Sequence, residues 1–194
     1  MLKSHFNNAL SVVLLTIAIL VFGDAAALVV KAQLAQVLIA RSWNTTAEHP
    51  WPWADTRPVA RLVIPDIKLD NFVLDGATGA VLAFGPGMTA GSAIPGGSGV
   101  TMIAAHRDTH FEALEDISEG DLIRLQNTRK QWHQYRVTGI RIADSRSEAI
   151  EPLADDSLLM LVTCYPFDAL IPGGPLRYVV EAQLLPEATT DSKG

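Results

Sequence analysis

Eight short runs of β-forming residues, separated by turn residues, fill the chain from residue 60 onward and constrain its fold more than any other feature. The runs are 60–64, 70–75, 79–84, 99–105, 121–126, 132–142, 158–164 and 176–184. The Gly, Pro, Asp and Asn residues between them are typical of turns. Only 109–116 has the pattern of a short helix, with Thr109 as its expected N-cap. Because no long helices alternate with the strands, the pattern predicts an all-β fold, a small barrel or a sandwich.

The N-terminus has the composition of a membrane anchor. Residues 9–30 are apolar except for Ser11, Thr16 and Asp24. A helix of this length extends about 33 Å at roughly 1.5 Å per residue, which is enough to cross the hydrocarbon core of a bilayer. We therefore expect a transmembrane helix before the β domain.

A cleaved signal peptide is the alternative, because Ala25 and Ala27 resemble a small-residue cleavage site. We favour the uncleaved anchor, since the apolar stretch is long for a signal peptide and helical spacing of apolar residues continues to about Trp43. The basic residues on the two sides of the stretch nearly balance, so charge alone does not settle its orientation.

These patterns divide the chain into four segments. Residues 1–43 are expected to form the anchor and a helical extension of it. Residues 44–58 are polar and interrupted by prolines, as in a linker. The β domain follows over 59–185, and 186–194 are expected to be a disordered tail.

Composition excludes several classes of function. The net charge is −6 and the basic residues are scattered, so nucleic-acid binding has no support. A single cysteine excludes an intrachain disulfide. Cys164 and the histidines lack the paired spacing of a zinc site, and the acidic residues of 112–121 lack the spacing of a calcium-binding loop. We expect no metal and no cofactor, and a solvated acidic face over 112–121.

Three residues of reactive type stand at the ends of predicted strands. His106 follows the run 99–105, Cys164 ends the run 158–164, and Arg177 lies at the start of the run 176–184. Two antiparallel strands joined by the intervening loop would place Cys164 and Arg177 side by side at one rim.

Each of the three has a chemical role to offer there. A partly exposed thiol is a nucleophile when a cationic neighbour favours its thiolate form. An imidazole exchanges protons near neutral pH, and a guanidinium donates hydrogen bonds to an oxyanion. The alternatives are a cysteine packed as a small hydrophobe, a histidine of a surface loop, and an arginine in a surface ion pair.

Sequence motifs around these residues add a family resemblance. The segment 160–164, MLVTC, resembles the nucleophile motif Thr-Leu-x-Thr-Cys of the sortases, and 104–111, AAHRDTHF, resembles their Gly-His-Arg segment. Further resemblance over most of 54–183 is greatest to the Gram-negative class GN sortases. Met160 stands in place of the usual threonine, and Ala105 in place of the usual glycine.

The resemblance implies a closed eight-stranded β-barrel, with His106, Cys164 and Arg177 as catalytic residues at its rim. It implies a single-pass protein of the bacterial inner membrane with its catalytic domain in the periplasm. The expected substrate is a protein with a C-terminal sorting signal like Leu-Pro-x-Thr-Gly, which is transferred to an amine acceptor through a thioester. Ala105, Thr163 and Tyr165 are expected to contact the substrate.

Two other functions remain open from the residues alone. One is a different cysteine peptidase that only hydrolyses, although the local signatures of papain-like enzymes and caspases are absent. The other is an anchored β-barrel that binds a partner and whose thiol is buried.

Overall fold

The computed structural model describes residues 34–45, 48–147, 150, 157–169 and 173–186. The chain forms two compact units, Met1–Leu38 and Ile39–Gly194. Residues 34–38 of the first unit are helical. Within the described residues, no helix has the length and apolar character needed to cross a membrane. The expected anchor over 9–30 lies outside the described residues, as does most of the expected tail.

The second unit is a closed barrel of eight strands, preceded by helical residues 39–45, which we name α1. The strands are β1 (Pro58–Ile64), β2 (Leu69–Asp75), β3 (Gly87–Met88), β4 (Val100–Ala104), β5 (Leu122–Asn127), β6 (Trp132–Asp144), β7 (Leu158–Cys164) and β8 (Leu176–Leu184). Around the barrel they follow the order β1–β2–β3–β4–β7–β8–β6–β5, and β5 pairs with β1 to close it. The predicted all-β class and eight-stranded closed barrel are confirmed.

Most neighbouring strands are antiparallel, but β2 pairs with β3 and β4 pairs with β7 in parallel. The parallel pair β4–β7 matters for the site, because two parallel strands end at the same rim. We call the rim where β4 and β7 end and β8 begins the Cys164 rim.

The predicted strand over 79–84 is wrong. Gly79–Leu82 form a short helix, α2, and the Thr78 hydroxyl accepts a hydrogen bond from the Val81 N–H at 3.4 Å. A short apolar run does not distinguish helix from strand, and here the N-cap decides. The third strand is instead the two residues Gly87–Met88. A Cβ atom on Gly87 would lie 2.2 Å from the Gly76 carbonyl oxygen, so only glycine allows this close backbone approach.

The predicted helix over 109–116 is shorter than expected and is not capped by Thr109. The structure has a 3-10 helix over Glu112–Asp116, preceded by Phe111, whose side chain makes no capping hydrogen bond. Phe111 and Leu114 are fully buried in the barrel core. Packing of these two apolar side chains, rather than a cap, therefore holds the segment over the end of the barrel.

Strand β7 is buried on both faces, which explains its continuous apolar sequence. Leu159 and Leu161 point into the barrel core, whereas Met160 and Val162 point outward. The outward side chains form a second apolar cluster on the outside of the barrel, which we call the outer cluster. It consists of Ala143, Met160, Val162 and Val179, with Val100, Met102 and Ile150 packed against it.

Helix α1 packs on the barrel through large apolar side chains. Ile39 and Trp43 are 1% and 2% exposed. The Trp43 ring lies 6.1 Å from the Phe72 ring between centroids, and the Lys130 ammonium lies 3.5 Å from the Trp43 centroid. The Lys130 ammonium also donates to the Trp43 carbonyl. These contacts join α1 to β2 and to the turn between β5 and β6.

Candidate active site

Three neighbouring strands deliver the candidate residues to the Cys164 rim. Strands β4, β7 and β8 are adjacent in the barrel. The first two are parallel, so their C-terminal ends meet, and the antiparallel β8 begins at the same level. Residues that follow β4, end β7 and begin β8 are therefore neighbours, although they are far apart in sequence.

Cys164 and Arg177 lie directly opposite each other in the register of β7 and β8. In such a pair the Cβ atoms are roughly 4.5–5.5 Å apart. Val162 and Val179, two residues away on each strand, belong to the outer cluster. Because side chains alternate along a strand, Cys164 and Arg177 also face outward. The thiol is half-buried, and the predicted juxtaposition of the two residues is confirmed.

The register of β4 and β7 brings His106 to the same place. Ala104 is paired with Val162, and the Ala105 N–H donates to the Val162 carbonyl at 3.2 Å. His106 and Cys164 each lie two residues beyond the Ala104–Val162 pair. The His106 side chain is exposed, and its carbonyl accepts from the Phe111 N–H at 3.0 Å, which turns the chain back over the barrel.

The Arg177 guanidinium is partly engaged by backbone. Its Nη1 donates to the Gly174 carbonyl at 2.6 Å and to the Leu176 carbonyl at 2.9 Å. Its Nε and Nη2 hydrogens have no acceptor among the residues that the structure describes. A guanidinium carries five N–H donors in one plane, so the unused ones can serve an oxyanion while Nη1 fixes the plane.

A hydrogen bond joins Thr163 to Ala105 beneath the Cys164 rim. The Thr163 hydroxyl donates to the Ala105 carbonyl at 2.8 Å, and the two residues are 2% and 5% exposed. This bond joins the ends of β7 and β4, one residue before Cys164 and His106. Contact of these two residues with a substrate stays a prediction, and in this structure they brace the strand ends.

Tyr165, also expected to contact the substrate, begins the loop after β7. Its N–H donates to the Leu176 carbonyl at 3.0 Å, and its ring lies parallel to the Tyr178 ring with 6.3 Å between centroids. Burial, followed by the charges of Tyr165 and Glu115, raises the pKa of Tyr178. Tyr165 is half-buried beside the Tyr178 ring, so a substrate would contact only the exposed part of the Tyr165 ring.

A second histidine lies close enough to influence the site electrostatically. Burial, and then the positive charge of His106, lower the pKa of His110. The His110 carbonyl accepts from the Asn71 amide nitrogen at 3.1 Å, which anchors the segment to β2. His110 is therefore neutral near pH 7, and it carries no charge that would compete with His106.

Sequence reasoning did not single out Arg107. Its side chain is 8% exposed, and its Nη2 donates to the Ala169 carbonyl at 3.0 Å, in the loop between β7 and β8. Only its position beside His106 hinted at a role. Its acceptor is a backbone carbonyl distant in sequence, which no residue pattern reveals. No three His, Cys, Asp or Glu side chains of the described ranges are grouped to hold a metal ion.

Comparison with known proteins places this arrangement in a family. The family model of the sortase domain matches residues 62–185. Sortase D of Bacillus subtilis (strain 168) is 29% identical over 120 residues, which cover 61% of this chain and 60% of that protein. The chain thus spans less than two thirds of this curated relative.

Solved structures agree on the fold. Sortase A from Corynebacterium diphtheriae superposes with a TM-score of 0.62 and 26% identity, covering 72% of this chain and 66% of that one. The catalytic domain of B. anthracis SrtD superposes with a TM-score of 0.56 and 34% identity, covering 66% and 88%. The family model covers more than half of the sequence, and the chain therefore belongs to the sortase family of cysteine transpeptidases.

Proposed function

We propose that this protein is a membrane-anchored sortase that cleaves a sorting signal and transfers the acyl part to an amine. The observation that carries the proposal is the register of β7 and β8, which sets Cys164 opposite Arg177 on the outer face of the barrel. The parallel pairing of β4 with β7 adds His106 beside them. The Cys164 rim thereby carries a nucleophile, a group that transfers protons and a hydrogen-bond donor for the oxyanion.

In the first step, the Cys164 thiolate attacks the carbonyl carbon of the scissile peptide bond. A C–S bond forms, and the carbonyl electrons move to the oxygen. The Nε and Nη2 hydrogens of Arg177 donate to this oxyanion, while its Nη1 remains on the Gly174 carbonyl. The guanidinium is charged and held in plane beforehand, so it needs little reorganisation as the negative charge develops.

Collapse of the tetrahedral intermediate breaks the C–N bond. His106, as imidazolium, gives its proton to the departing amine and becomes neutral. The product is a thioester between Cys164 and the acyl part of the substrate. The exposure of His106 allows the released amine to leave into solvent.

An amine acceptor resolves the thioester. Its nitrogen attacks the thioester carbon, neutral His106 takes the proton, and the thiolate of Cys164 is released as a new amide forms. Water in place of the amine would give hydrolysis. The groups that act in acylation thus act in reverse order in transfer.

A substrate with apolar side chains would meet only the partly exposed members of the outer cluster. Val162 is 7% exposed and Met160 and Val179 are fully buried, whereas Val100 and Met102 on β4 are partly exposed. A sorting signal like Leu-Pro-x-Thr-Gly presents a leucine and a proline ahead of its scissile bond.

The location of the protein is part of the same proposal. The apolar residues 9–30 would anchor it in the bacterial inner membrane, with the barrel in the periplasm. Within the family, the segments WPWADTRPVARL and LAFGPG resemble the Gram-negative class GN sortases. This resemblance supports assignment to that class.

The decisive experiment is mass spectrometry of the full chain after incubation with a Leu-Pro-x-Thr-Gly peptide and a small amine. A thioester adduct on Cys164 and an amine-capped peptide are expected, and Cys164→Ala should yield neither while remaining folded. Cleaved peptide without transfer would indicate a hydrolytic cysteine peptidase. No adduct and no product with the wild type would refute the enzymatic function.

A further inference from the structure

A pocket lies at the end of the barrel opposite the Cys164 rim. Strands β1, β6 and β7 begin at this end, and β2, β5 and β8 end there, so we call it the far rim. The pocket has a volume of about 430 Å³, which is within the usual range for small-ligand sites. It lies between residues 94–97, in the loop before β4, and the turn between β5 and β6.

Asn127 organises the turn on one side of the pocket. Its side-chain oxygen accepts hydrogen bonds from the Arg129 and Gln131 N–H groups, each at 3.0 Å. Its amide nitrogen is therefore the donor in the two remaining bonds, to Gln131 Oε1 at 3.1 Å and to His133 Nε2 at 3.1 Å. Because Nε2 accepts, the neutral His133 ring carries its hydrogen on Nδ1.

The side chains that line the pocket offer more donors than acceptors. The His133 Nδ1 hydrogen, the Gln131 amide hydrogens and the Arg129 guanidinium have no acceptor in the part of the chain that the structure describes. The Asp75 carboxylate, which also lines the pocket, already accepts from Arg57 Nε at 3.4 Å. Groups that only donate, two of them cationic, are satisfied by an anion that accepts. The pocket therefore has the chemistry of an anion site.

The opposite wall of the pocket is apolar and is held in place by hydrogen bonds. Ile94 on this wall is 67% exposed. The Gly97 N–H donates to the Ile94 carbonyl at 2.9 Å, and the Gly96 N–H donates to the Tyr135 hydroxyl at 2.8 Å. A Cβ atom on Gly96 would lie 2.2 Å from His133 Nδ1, so the imidazole packs directly on the glycine. The two walls are thus joined beforehand, which lowers the cost of ordering them around a ligand.

The chain connects the far rim to the expected membrane anchor. Helix α1 begins at Ile39, which packs with Leu74 and Val81 beside the end of β2. Ile39 comes nine residues after the apolar stretch 9–30, and nine residues extend at most about 30 Å. Trp53 is 80% exposed on the segment between α1 and β1, and tryptophan favours the interface between lipid and water. A barrel tethered in this way has its far rim within reach of the lipid headgroups.

We infer that the pocket at the far rim binds the phosphate group of an anionic membrane lipid, with Arg129 and His133 as donors and Ile94 against the apolar part of the lipid. The choice of a lipid rests on the anchoring that is part of the proposed function. The anionic chemistry rests on the donors of the pocket alone. Such a contact keeps the Cys164 rim on the side of the barrel that faces away from the membrane, where substrates reach it.

The test uses the full chain in nanodiscs of phosphatidylcholine, with or without phosphatidylglycerol. Hydrogen exchange measured by mass spectrometry reports the protection of the backbone amides of 94–97 and 127–131. Arg129→Met removes the donors of an exposed side chain, and Arg129→Glu reverses its charge. Arg136→Met is the matched control, because it removes the same charge outside the pocket, where Arg136 Nη1 donates to the Gly120 carbonyl at 2.9 Å. Transfer of a soluble peptide is measured in the same discs.

In the wild type we expect both segments to exchange about threefold more slowly in discs that contain phosphatidylglycerol, which is the factor for a ligand at twice its dissociation constant. Arg129→Met should lose most of this difference and Arg129→Glu all of it, whereas Arg136→Met should keep it. Inorganic phosphate added to discs of phosphatidylcholine alone should give little protection. Peptide transfer should stay at the wild-type rate in the Arg129 variants, because the pocket is at the opposite end of the barrel from Cys164.

Equal exchange in the two kinds of disc, or wild-type protection in Arg129→Glu, would overturn the inference. Protection by inorganic phosphate equal to that by phosphatidylglycerol would overturn the assignment to a lipid. Failure of the chain to enter discs would refute the proposed anchor. Vesicles of phosphatidylglycerol are then added to the protein, and unprotected segments would overturn the inference as well. Absence of peptide transfer in discs that protect both segments would refute the proposed enzymatic function alone.

Discussion

Replacing Thr163 by valine removes one buried hydrogen bond while keeping the shape of the side chain. The lost bond is the 2.8 Å contact from the Thr163 hydroxyl to the Ala105 carbonyl, and both residues are almost fully buried. An acceptor left without its partner in the interior costs about 1–3 kcal/mol of folding free energy. At about 2–4 °C per kcal/mol for a domain of this size, the melting temperature should fall by roughly 2–12 °C.

The same bond should matter for the rate of peptide transfer. It joins the ends of β4 and β7 one residue before His106 and Cys164. Its loss lets the two reacting residues separate slightly, and we expect kcat to fall about tenfold. The assay is transfer of a sorting-signal peptide to an amine at a temperature well below the unfolding transition.

Thr101→Val is the matched control. The Thr101 hydroxyl donates to the Ala93 carbonyl at 3.0 Å and is equally buried, but it lies near the start of β4, away from the Cys164 rim. It should lower the melting temperature by a similar amount and leave kcat unchanged. Equal losses of kcat in both variants, or wild-type kcat in Thr163→Val, would show that the bond does not position the site.

Three further outcomes are expected. Arg177→Lys keeps the charge but loses the planar set of donors, so kcat/KM for peptide transfer should fall about a hundredfold with little change in melting temperature. Near-wild-type kinetics would show that Arg177 takes no part in the mechanism. Deletion of residues 1–38 should leave a folded protein that transfers peptide, whereas deletion of 1–43 also removes the buried Ile39 and Trp43. The second deletion should therefore lower the free energy of unfolding, measured by urea titration, by more than about 3 kcal/mol relative to the first. Equal stabilities of the two truncated proteins would contradict this. Because the pKa of His110 is lowered in the folded state, the unfolded chain binds more protons than the folded protein below about pH 6.5, and the stability should fall as the pH falls through this range. His110→Gln should therefore flatten the dependence of the melting temperature on pH between about 7 and 5. An unchanged slope would show that His110 does not cause this dependence.

The pairing of Cys164 with Arg177 was predictable because it depends on neighbouring strands and the length of one loop. The approach of His106 to Cys164 is different in kind. It depends on the parallel pairing of β4 with β7, which are separated by two strands in sequence. No local pattern encodes such a pairing, and only the position of His106 at a strand end indicated it.

The features that the sequence analysis predicted wrongly or missed have local physical causes. The run at 79–84 reads equally well as strand or helix, and the hydroxyl of Thr78 decides for the helix. Strand β3 has two residues, too few for any alternation to be visible in sequence. Arg107 was missed because charged side chains are usually exposed, and the carbonyl that justifies its burial becomes a neighbour only in the folded chain.

Closure of the barrel limits how a substrate peptide can be recognised. At the Cys164 rim, strands β4, β7 and β8 each pair on both sides, and where β3 is too short to cover β4, the N–H groups of Thr89 and Ala93 donate to the Met102 and Val100 carbonyls. A peptide bound at this rim therefore finds no open edge on these three strands that it could join as an extra strand. Its side chains, rather than its amides, must carry recognition. A proline, which has no N–H to offer, then costs such a substrate nothing, and methylation of a backbone nitrogen away from the scissile bond should be tolerated for the same reason.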